Sequence, residues 1–334
     1  MKINKVLVIL GEPQSTFSEI LFKYFNSKEF LKNKKKIILI GSMSLLEKQM
    51  KKLKFNSNFK LINNIDEANN NKLNIINVNY NSKKIFSKIS SDSREYITNC
   101  FKVGFNLIKN NKKTVLINGP ISKKHFLKKK YLGITEYISK KVKSKKQVML
   151  IYNDKLAVSP LTTHLPLKYV SKHITKKKII SSVMEIKKFY ENIINTKPKI
   201  AILGLNPHCE TIDKFSEEKK IIIPAINYLK KINIKIDGPF SADTFFLEKN
   251  INKYDVVVGM YHDQVLTPLK TLYHFNAINL TLGLPFIRIS PDHGPNEKML
   301  GKNLSDPSSI FCAMRFINKI KWKYYQKKVW GKTF

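Results

Sequence analysis

The chain has little arginine, cysteine or acidic residue. Its 334 residues include three arginines and three cysteines, and 24 Asp and Glu against 61 Lys and Arg give a formal charge of +37. The cysteines are odd in number and widely spaced, which excludes a disulfide framework or zinc ribbon and favours a reduced cytoplasm. No apolar run approaches the roughly 20 residues of a membrane span, and the apolar run near the N-terminus is too short for a signal peptide. We therefore expect a soluble, cytoplasmic protein without a membrane partner.

The positive charge is almost entirely lysine. A charge of this size would by itself indicate nucleic acid or an acidic surface as a partner. The basic clusters at 34–36, 128–130 and 176–178 lack the interleaved aromatic residues of stacking platforms. We therefore interpret the lysines as a compositional bias on solvated faces and expect no nucleic-acid partner, with a dedicated polyanion surface as the alternative.

Apolar runs alternate with amphipathic segments along the chain. Strands are predicted at 5–10, 36–41, 114–117, 148–152, 156–162, 199–205 and 256–260, and helices at 15–25, 42–53, 91–110, 175–195, 216–232 and 305–320. Residues 238–244 read as a polar loop, and Pro307 as the first residue of the last helix, capped by Ser305 or Asp306. The alternation predicts an α/β fold with a mainly parallel sheet.

Three histidines each follow an apolar strand: His164, His208 and His262. Ligands of parallel α/β sheets bind beyond the carboxyl ends of the strands, and three neutral imidazoles can hold a metal. The alternative is that each is a hydrogen-bonded structural residue. The carboxylates that could orient these imidazoles, or instead cap helices, are Asp243, Asp263 and Asp292.

Lys270, Asn279 and Arg288 are polar positions in apolar surroundings. A guanidinium between two isoleucines suits bidentate binding of a phosphate or carboxylate, and a buried structural ion pair is the alternative. There is no GxGxxG motif after a strand and no GxxxxGK[ST] motif, so the Rossmann fingerprint and the P-loop are both absent. The residues alone thus indicate an α/β enzyme with a possible three-histidine metal site and an anionic substrate.

Several longer motifs occur in a characteristic order: TTHLPL, LGLNPH, GPFSADTFF, MYHDQ, NLTLGLPFIRISPDHG and SDPSS. This series resembles the 4-hydroxythreonine-4-phosphate dehydrogenase family of vitamin B6 biosynthesis. The resemblance is strong over 116–316 and weak before it. It implies an isocitrate- and isopropylmalate-dehydrogenase-like fold, with two α/β domains around an interdomain cleft. We expect residues 1–136 and 290–334 to form the first domain, and 137–289 the second, with most metal and dimer-interface residues.

The resemblance also implies roles for particular residues. His164, His208 and His262 would hold a divalent metal (Zn, Mg or Co), with ligands from both subunits of a homodimer whose active site lies at the subunit interface. The positions expected to contact the phosphorylated substrate are Thr135, Lys270, Asn279 and Arg288. Lys123 and Asp243 are our candidates for proton transfer or for orienting groups.

The implied reaction is oxidation of 4-phosphooxy-L-threonine by NAD or NADP to a β-keto acid, which decarboxylates to 3-amino-2-oxopropyl phosphate. The alternative is another four-carbon phosphorylated acid, such as a threonate or erythronate phosphate. Two further rivals are a polyanion-binding protein that has lost the reaction and a purely structural dimer. The intact triad counts against the first, and Arg288 and His262 against the second.

Three loops depart from the family pattern. Ile134 stands where a histidine is usual, residues 209–214 read CETIDK where a glycine-rich run is usual, and residues 10–17 read LGEPQSTF where PGEPAGIGP is usual. The change at Ile134 removes an imidazole that normally touches substrate, and it is the feature that favours the alternative substrates.

Overall fold

A computed structural model describes residues 3–320 except 71, 83, 112, 129, 132, 211, 275 and 292–293. The described residues fall into two compact units, one within Met1–Lys143 and Pro285–Phe334 and the other within Ser144–Leu284. The sequence had suggested boundaries at 136/137 and 289/290. No helix in the described part of the chain is both long and apolar enough to cross a membrane.

The described strands are short and mostly buried. They are β1 (Lys5–Ile9), β2 (Lys36–Gly41), β3 (Phe59–Leu61), β4 (Leu73–Asn77), β5 (Thr114–Asn118), β6 (Val148–Tyr152), β7 (Ala157–Thr162), β8 (Ile200–Leu203), β9 (Ile236–Phe240), β10 (Val256–Tyr261), β11 (Ile278–Leu282) and β12 (Ile287–Pro291).

The described α-helices alternate with these strands. They are α1 (Phe17–Phe25), α2 (Lys28–Leu31), α3 (Met43–Lys52), α4 (Ser93–Asn110), α5 (Ile134–Lys141), α6 (Val170–His173), α7 (Lys176–Phe189), α8 (Ile223–Lys231), α9 (Ala242–Phe245), α10 (Glu248–Ile251), α11 (His262–Tyr273) and α12 (Ser308–Lys319). Short 3₁₀ or π turns also occur, among them Lys123–Leu127, Pro207–Cys209, Glu218–Ile222 and Glu297–Met299.

In the first unit the strand order is β3-β4-β2-β1-β5-β12, and the pairs between these described strands are all parallel. Every residue of β1 and β5 is buried, as expected for a parallel sheet with both faces covered. Helix α4 buries an apolar stripe that includes Ile97, Phe101 and Ile108. The paired strands β5 and β12 therefore lie side by side in the core of this unit.

In the second unit the order is β11-β6-β7-β10-β8-β9. The pairs β11/β6 and β6/β7 are antiparallel, and β7, β10, β8 and β9 run parallel. The core of this unit joins these strands to α11 through Val257, Val265, Leu266 and Leu269. Packing of α11 on the strands fixes the position of His262, its first residue.

The predicted α/β fold and mainly parallel sheet are confirmed. The loop predicted at 238–244 is wrong, because Ile236–Phe240 forms β9 and Ala242–Phe245 forms a helical turn. The prediction for Pro307 is also wrong, since it is the N-cap residue of α12 rather than its first residue. The Asp306 carboxylate accepts a hydrogen bond from the Ser308 amide at 2.8 Å, which satisfies one donor of the first turn.

Candidate active site

The three predicted metal-binding histidines follow three neighbouring parallel strands of the second unit. His164 lies two residues after β7, His262 directly after β10, and His208 in the turn after β8. Strand β10 lies between β7 and β8, and Tyr261 is paired with Thr162 at the carboxyl ends of β10 and β7. Since these strands are parallel, the three histidines leave the sheet at the same edge.

His164 and His262 are adjacent. Their ring centroids are 5.6 Å apart, with an angle of 35° between the rings. The paired ends of β7 and β10 produce this approach, and the Thr162 hydroxyl reinforces it by donating to the Met260 carbonyl at 2.7 Å. The structure therefore brings two of the three predicted metal-binding imidazoles together.

A carboxylate orients the His262 ring. Nδ1 of His262 lies 2.7 Å from Oδ1 of Asp263. An ionised carboxylate can accept a hydrogen bond but cannot donate one, so in the neutral ring Nδ1 carries the hydrogen and Nε2 keeps its lone pair. This is the arrangement usual for a histidine that binds a metal through Nε2.

His208 has a similar neighbour in Asp243. The distance from Nδ1 of His208 to Oδ2 of Asp243 is 3.5 Å, and the His208 side chain is 77% exposed. A hydrogen bond from the Ser241 hydroxyl lowers the pKa of Asp243, so this carboxylate stays ionised at neutral pH. Asp243 is therefore suited to orienting His208 rather than to donating a proton.

Two of these histidines have strained backbones. His164 has φ of 51° and His208 has φ of 55°, which is the left-handed region. A non-glycine residue there costs on the order of 1 kcal/mol, and such positions concentrate at functional sites. The surrounding structure must therefore hold both turns in place.

Sequence reasoning missed two residues that support the turn leading to His208. The Gln264 side chain donates to the Gly204 carbonyl at 2.8 Å and accepts from the Met260 amide at 2.7 Å, which ties the end of β8 to the turn between β10 and α11. Glu218 is fully buried and accepts from the amides of Leu205 and Asn206 at 2.7 and 2.9 Å. Glu218 lies among other charged residues in a predicted helix, and no sequence pattern distinguishes it. Gln264 could have been found, because it belongs to the MYHDQ motif.

The donor chemistry of this edge fits a divalent metal, because neutral imidazoles backed by carboxylates are common ligands. Within the described part of a single chain, however, no three His, Cys, Asp or Glu side chains form a group that could hold an ion. The three-histidine metal site therefore stays a prediction. In the described part of one chain, two of the three predicted ligands, His164 and His262, lie together.

Lys270 and Asn279 also belong to the second unit. Lys270 is exposed on α11, two turns beyond His262, and Asn279 lies in β11. The Asn279 Oδ1 atom is buried and has no hydrogen-bond partner among the described residues. A buried acceptor without a donor costs free energy, so this arrangement fits an Asn279 side chain that accepts a hydrogen bond from a ligand.

Arg288 and Thr135 meet in the first unit. The Arg288 side chain is 1% exposed, and its Nη1 donates to the Thr135 hydroxyl at 3.1 Å. Burial lowers the pKa of Arg288 to about 10, and the nearby Glu136 carboxylate opposes this shift, so the guanidinium remains charged at neutral pH. The predicted contact between Arg288 and the substrate remains a prediction.

A cavity of about 520 Å³ opens beside this pair in the first unit. Its lining includes Asn118, Ser122, Lys123, Ile134 and Ser290. Lys123 is exposed and begins the turn after β5. The cavity thus combines two ammonium groups, two hydroxyls and the Glu297 carboxylate with the N-terminus of α5, which attracts anions.

Glu12 is a buried carboxyl in the loop after β1. It is 2% exposed, and its oxygens accept from the Ser93 hydroxyl at 3.2 Å and the Gln14 amide at 3.5 Å. Burial raises the pKa of Glu12 from 4.5 to about 7, against the lowering effect of these hydrogen bonds. Glu297, which lines the cavity, adds a further raising effect.

The chain is similar to known proteins over most of its length. Residues 33–317 match the model of the family described as pyridoxal phosphate biosynthetic protein PdxA. A protein named 4-hydroxythreonine-4-phosphate dehydrogenase in Sulfurihydrogenibium sp. (strain YO3AOP1) is 38% identical over 325 residues, which are 95% of this chain and 98% of the relative. The chain belongs to the PdxA family.

Two other proteins with the same name are also similar to this chain. The protein of the same name in Aquifex aeolicus is 34% identical, over 95% of this chain and 98% of the relative. A solved structure from Salmonella typhimurium, whose description names a 4-hydroxythreonine-4-phosphate dehydrogenase, is 27% identical, with a TM-score of 0.82 over 94% of this chain and 99% of that chain. The resemblance read from the motifs is confirmed.

In this PdxA family member, two of the altered loops lie in the first unit and one lies in the second. Ile134, which replaces the usual histidine, lines the cavity of the first unit and is partly exposed. The changed run at 209–214 directly follows His208, and the changed run at 10–17 carries Glu12. Asp292, one of the predicted orienting carboxylates, lies outside the described residues.

Proposed function

We propose that this chain is a metal-dependent NAD(P) dehydrogenase that oxidises 4-phosphooxy-L-threonine in pyridoxal phosphate biosynthesis. The product would be a β-keto acid that decarboxylates to 3-amino-2-oxopropyl phosphate. The observation that carries this proposal is the pairing of His164 with His262, 5.6 Å apart, at the strand edge where His208 also emerges. Family membership over nearly the whole chain supports it.

We propose that His164, His208 and His262 hold a divalent cation. Such a cation, when bound, would lower the pKa of a substrate hydroxyl and polarise a neighbouring carbonyl. The chain contributes the orientation of the ligands, because Asp263 and Asp243 lie against Nδ1 of His262 and His208 and leave Nε2 of each ring for the cation. NAD or NADP would accept the hydride.

The anionic group of the substrate fits the N-terminus of α5. The first-turn amides of this helix have no side-chain cap at Gly133, and its dipole favours negative charge. Because the Thr135 hydroxyl already accepts a hydrogen bond from Arg288, its own hydrogen remains for a ligand. Lys123 lines the same cavity and supplies a positive charge or a proton-transfer group.

A homodimer would complete the metal site. Within the described residues of one chain, His164 and His262 lie together without a third ligand in the group. Phe215 is 69% exposed and Leu247 52% exposed on the loops next to His208 and Asp243, which suits burial against a second copy. We propose that the pair comes from one subunit and His208 from its partner.

The alternative substrate is another four-carbon phosphorylated hydroxy acid. Ile134 lines the cavity where an imidazole is usual, so one polar contact to the substrate is replaced by an apolar one. A substrate without the amine, such as threonate or erythronate phosphate, would need fewer polar contacts at this wall.

The test of the proposed function is NAD(P)H formation by the purified protein with each candidate substrate. We expect turnover of 4-phosphooxy-L-threonine to exceed that of threonate and erythronate phosphates. Turnover of the latter alone would select the alternative. Absence of turnover with all three by metal-loaded protein would refute dehydrogenase activity on this substrate class.

The shared metal site is tested by mixing inactive variants. If His164 and His262 act from one subunit, refolding an equal mixture of His208→Ala and His164→Ala chains gives half heterodimers, each with one intact site. Activity should then recover to about a quarter of wild type. A mixture of His164→Ala and His262→Ala chains should stay inactive, because every pair is broken. Equal recovery in both mixtures would contradict the assignment.

A further inference from the structure

We propose that Asn118 is a positioning residue that fixes the Arg288 guanidinium for recognition of the anionic substrate. This inference rests on the proposed function, in which Arg288 helps to bind the phosphorylated acid. The resemblance gives Asn118 no role. The ligand chemistry concerned is a phosphate or carboxylate group.

The sheet register brings the two side chains together. In the parallel pair β5/β12, Arg288 is the partner of Leu116. Side chains alternate along a strand, so Asn118, two residues beyond Leu116, projects from the same face as Arg288. The Nε of Arg288 donates to Oδ1 of Asn118 at 2.7 Å, and both side chains are 1% exposed.

The chemistry of the neighbours fixes the carboxamide of Asn118. Its Nδ2 donates to the Gly119 carbonyl at 2.9 Å, while its Oδ1 accepts from Arg288. An Nε–H group can only donate and a carbonyl can only accept, so the reversed amide would lose both bonds. The orientation of the Asn118 carboxamide is therefore fixed, and its hydrogen bond to Nε fixes the plane of the Arg288 guanidinium.

This contact determines where the charge of Arg288 is directed. With Nε held by Asn118, Nη1 reaches the Thr135 hydroxyl at 3.1 Å, next to the N-terminus of α5. Asn118 also lines the 520 Å³ cavity beside Lys123 and Ile134. Loss of the carboxamide would leave the buried Nε–H of Arg288 without this acceptor. The guanidinium would then rotate toward a different acceptor.

The first test is spectroscopic and does not depend on turnover. The chain has three arginines, Arg94, Arg288 and Arg315, so ¹⁵N-arginine labelling gives few side-chain Nε–H signals. We expect the Arg288 Nε–H signal to exchange slowly with solvent in wild type and at least about tenfold faster in Asn118→Ala. Equal exchange in both proteins would overturn the proposed contact.

The matched control is Thr114→Val on the same strand. Thr114 is 1% exposed, and its buried hydroxyl has no hydrogen-bond partner among the described residues, so valine removes no contact. This variant should keep the slow Arg288 exchange of wild type. Thermal unfolding of both variants checks that each is folded.

The second test is kinetic and separates positioning from general damage. We expect Asn118→Ala to raise KM for the phosphorylated substrate about tenfold or more, with a smaller change in kcat. Asn118→Asp should keep the slow Nε–H exchange, because a carboxylate still accepts from Nε, but it should also raise KM, because it neutralises the charge of Arg288. In an Arg288→Lys background, Asn118→Ala should add little. An equal effect in both backgrounds would overturn the positioning role.

The two proposals fail in different ways. If the wild-type protein turns over no phosphorylated acid, the proposed function fails, and the exchange measurement alone decides the contact between Asn118 and Arg288. If the wild type is active but Asn118→Ala matches Thr114→Val in KM, the positioning role fails while the proposed function stands.

Discussion

Glu12 should make the stability of the protein depend on pH near neutrality. Its carboxyl is 2% exposed, and burial raises its pKa from 4.5 to about 7. The folded protein thus holds this proton more tightly than the unfolded chain. Below pH 4.5 both states are protonated and there is no penalty, whereas the penalty grows as the pH rises and is complete above pH 7. Glu12→Gln removes the titration.

The size of the effect follows from the shift. A pKa difference of about 2.5 units between 4.5 and about 7 corresponds to a penalty of roughly 3 kcal/mol at high pH, of which under about 1 kcal/mol is already present at pH 5. Glutamine loses one acceptor for the Ser93 hydroxyl or the Gln14 amide, at a cost of about 1 kcal/mol at every pH. Glu12→Gln should therefore be close to wild type at pH 5 and more stable by about 2 kcal/mol at pH 8.

The assay is urea unfolding followed by circular dichroism at both pH values. The control is Glu47→Gln, since Glu47 is exposed on α3 and its replacement should change stability equally at the two pH values. The same difference in stability between Glu12→Gln and wild type at pH 5 and pH 8 would contradict the raised pKa of Glu12.

Three further predictions concern the site. His262→Ala should bind less divalent metal than wild type by elemental analysis, whereas exposed His173→Ala on α6 should bind as much as wild type; equal loss in both would contradict the ligand assignment. Ile134→His should raise kcat/KM for 4-phosphooxy-L-threonine relative to threonate phosphate by roughly tenfold, which is the size of one hydrogen bond to a charged group. An unchanged ratio would show that residue 134 does not contact the substrate. Gly119→Ala would place Cβ 2.3 Å from both the Leu10 carbonyl oxygen and the Phe17 ring, so a loss of about 3 kcal/mol is expected in urea unfolding, and a loss below about 1 kcal/mol would contradict this packing.

The fold was predictable where local signals agree. The predicted strands at 36–41 and 148–152 match β2 and β6 residue for residue, because buried parallel and central strands are continuous apolar runs. Strand β9 was missed because Gly238 and Pro239 disfavour a strand. As the last strand in the order of its unit, β9 tolerates a proline that cannot donate to the ladder.

The candidate site was predictable only in part. His164, His208 and His262 stood out because polar residues directly follow apolar runs. The supporting residues did not stand out, because their contacts join distant positions. Glu218 contacts Asn206, twelve residues away in the sequence, and Asn118 contacts Arg288, 170 residues away. Neither contact leaves a local pattern, because it is set by sheet register and helix packing.

The most direct test of the account is the stoichiometry of the reaction. NAD(P)H and CO₂ should be measured together after the purified protein consumes a limited amount of 4-phosphooxy-L-threonine, before and after chelation and metal reloading. Equal amounts of both products are expected, with loss of both on chelation and recovery of both on reloading. NAD(P)H formation that is indifferent to chelation, or the absence of product from metal-loaded protein, would contradict it.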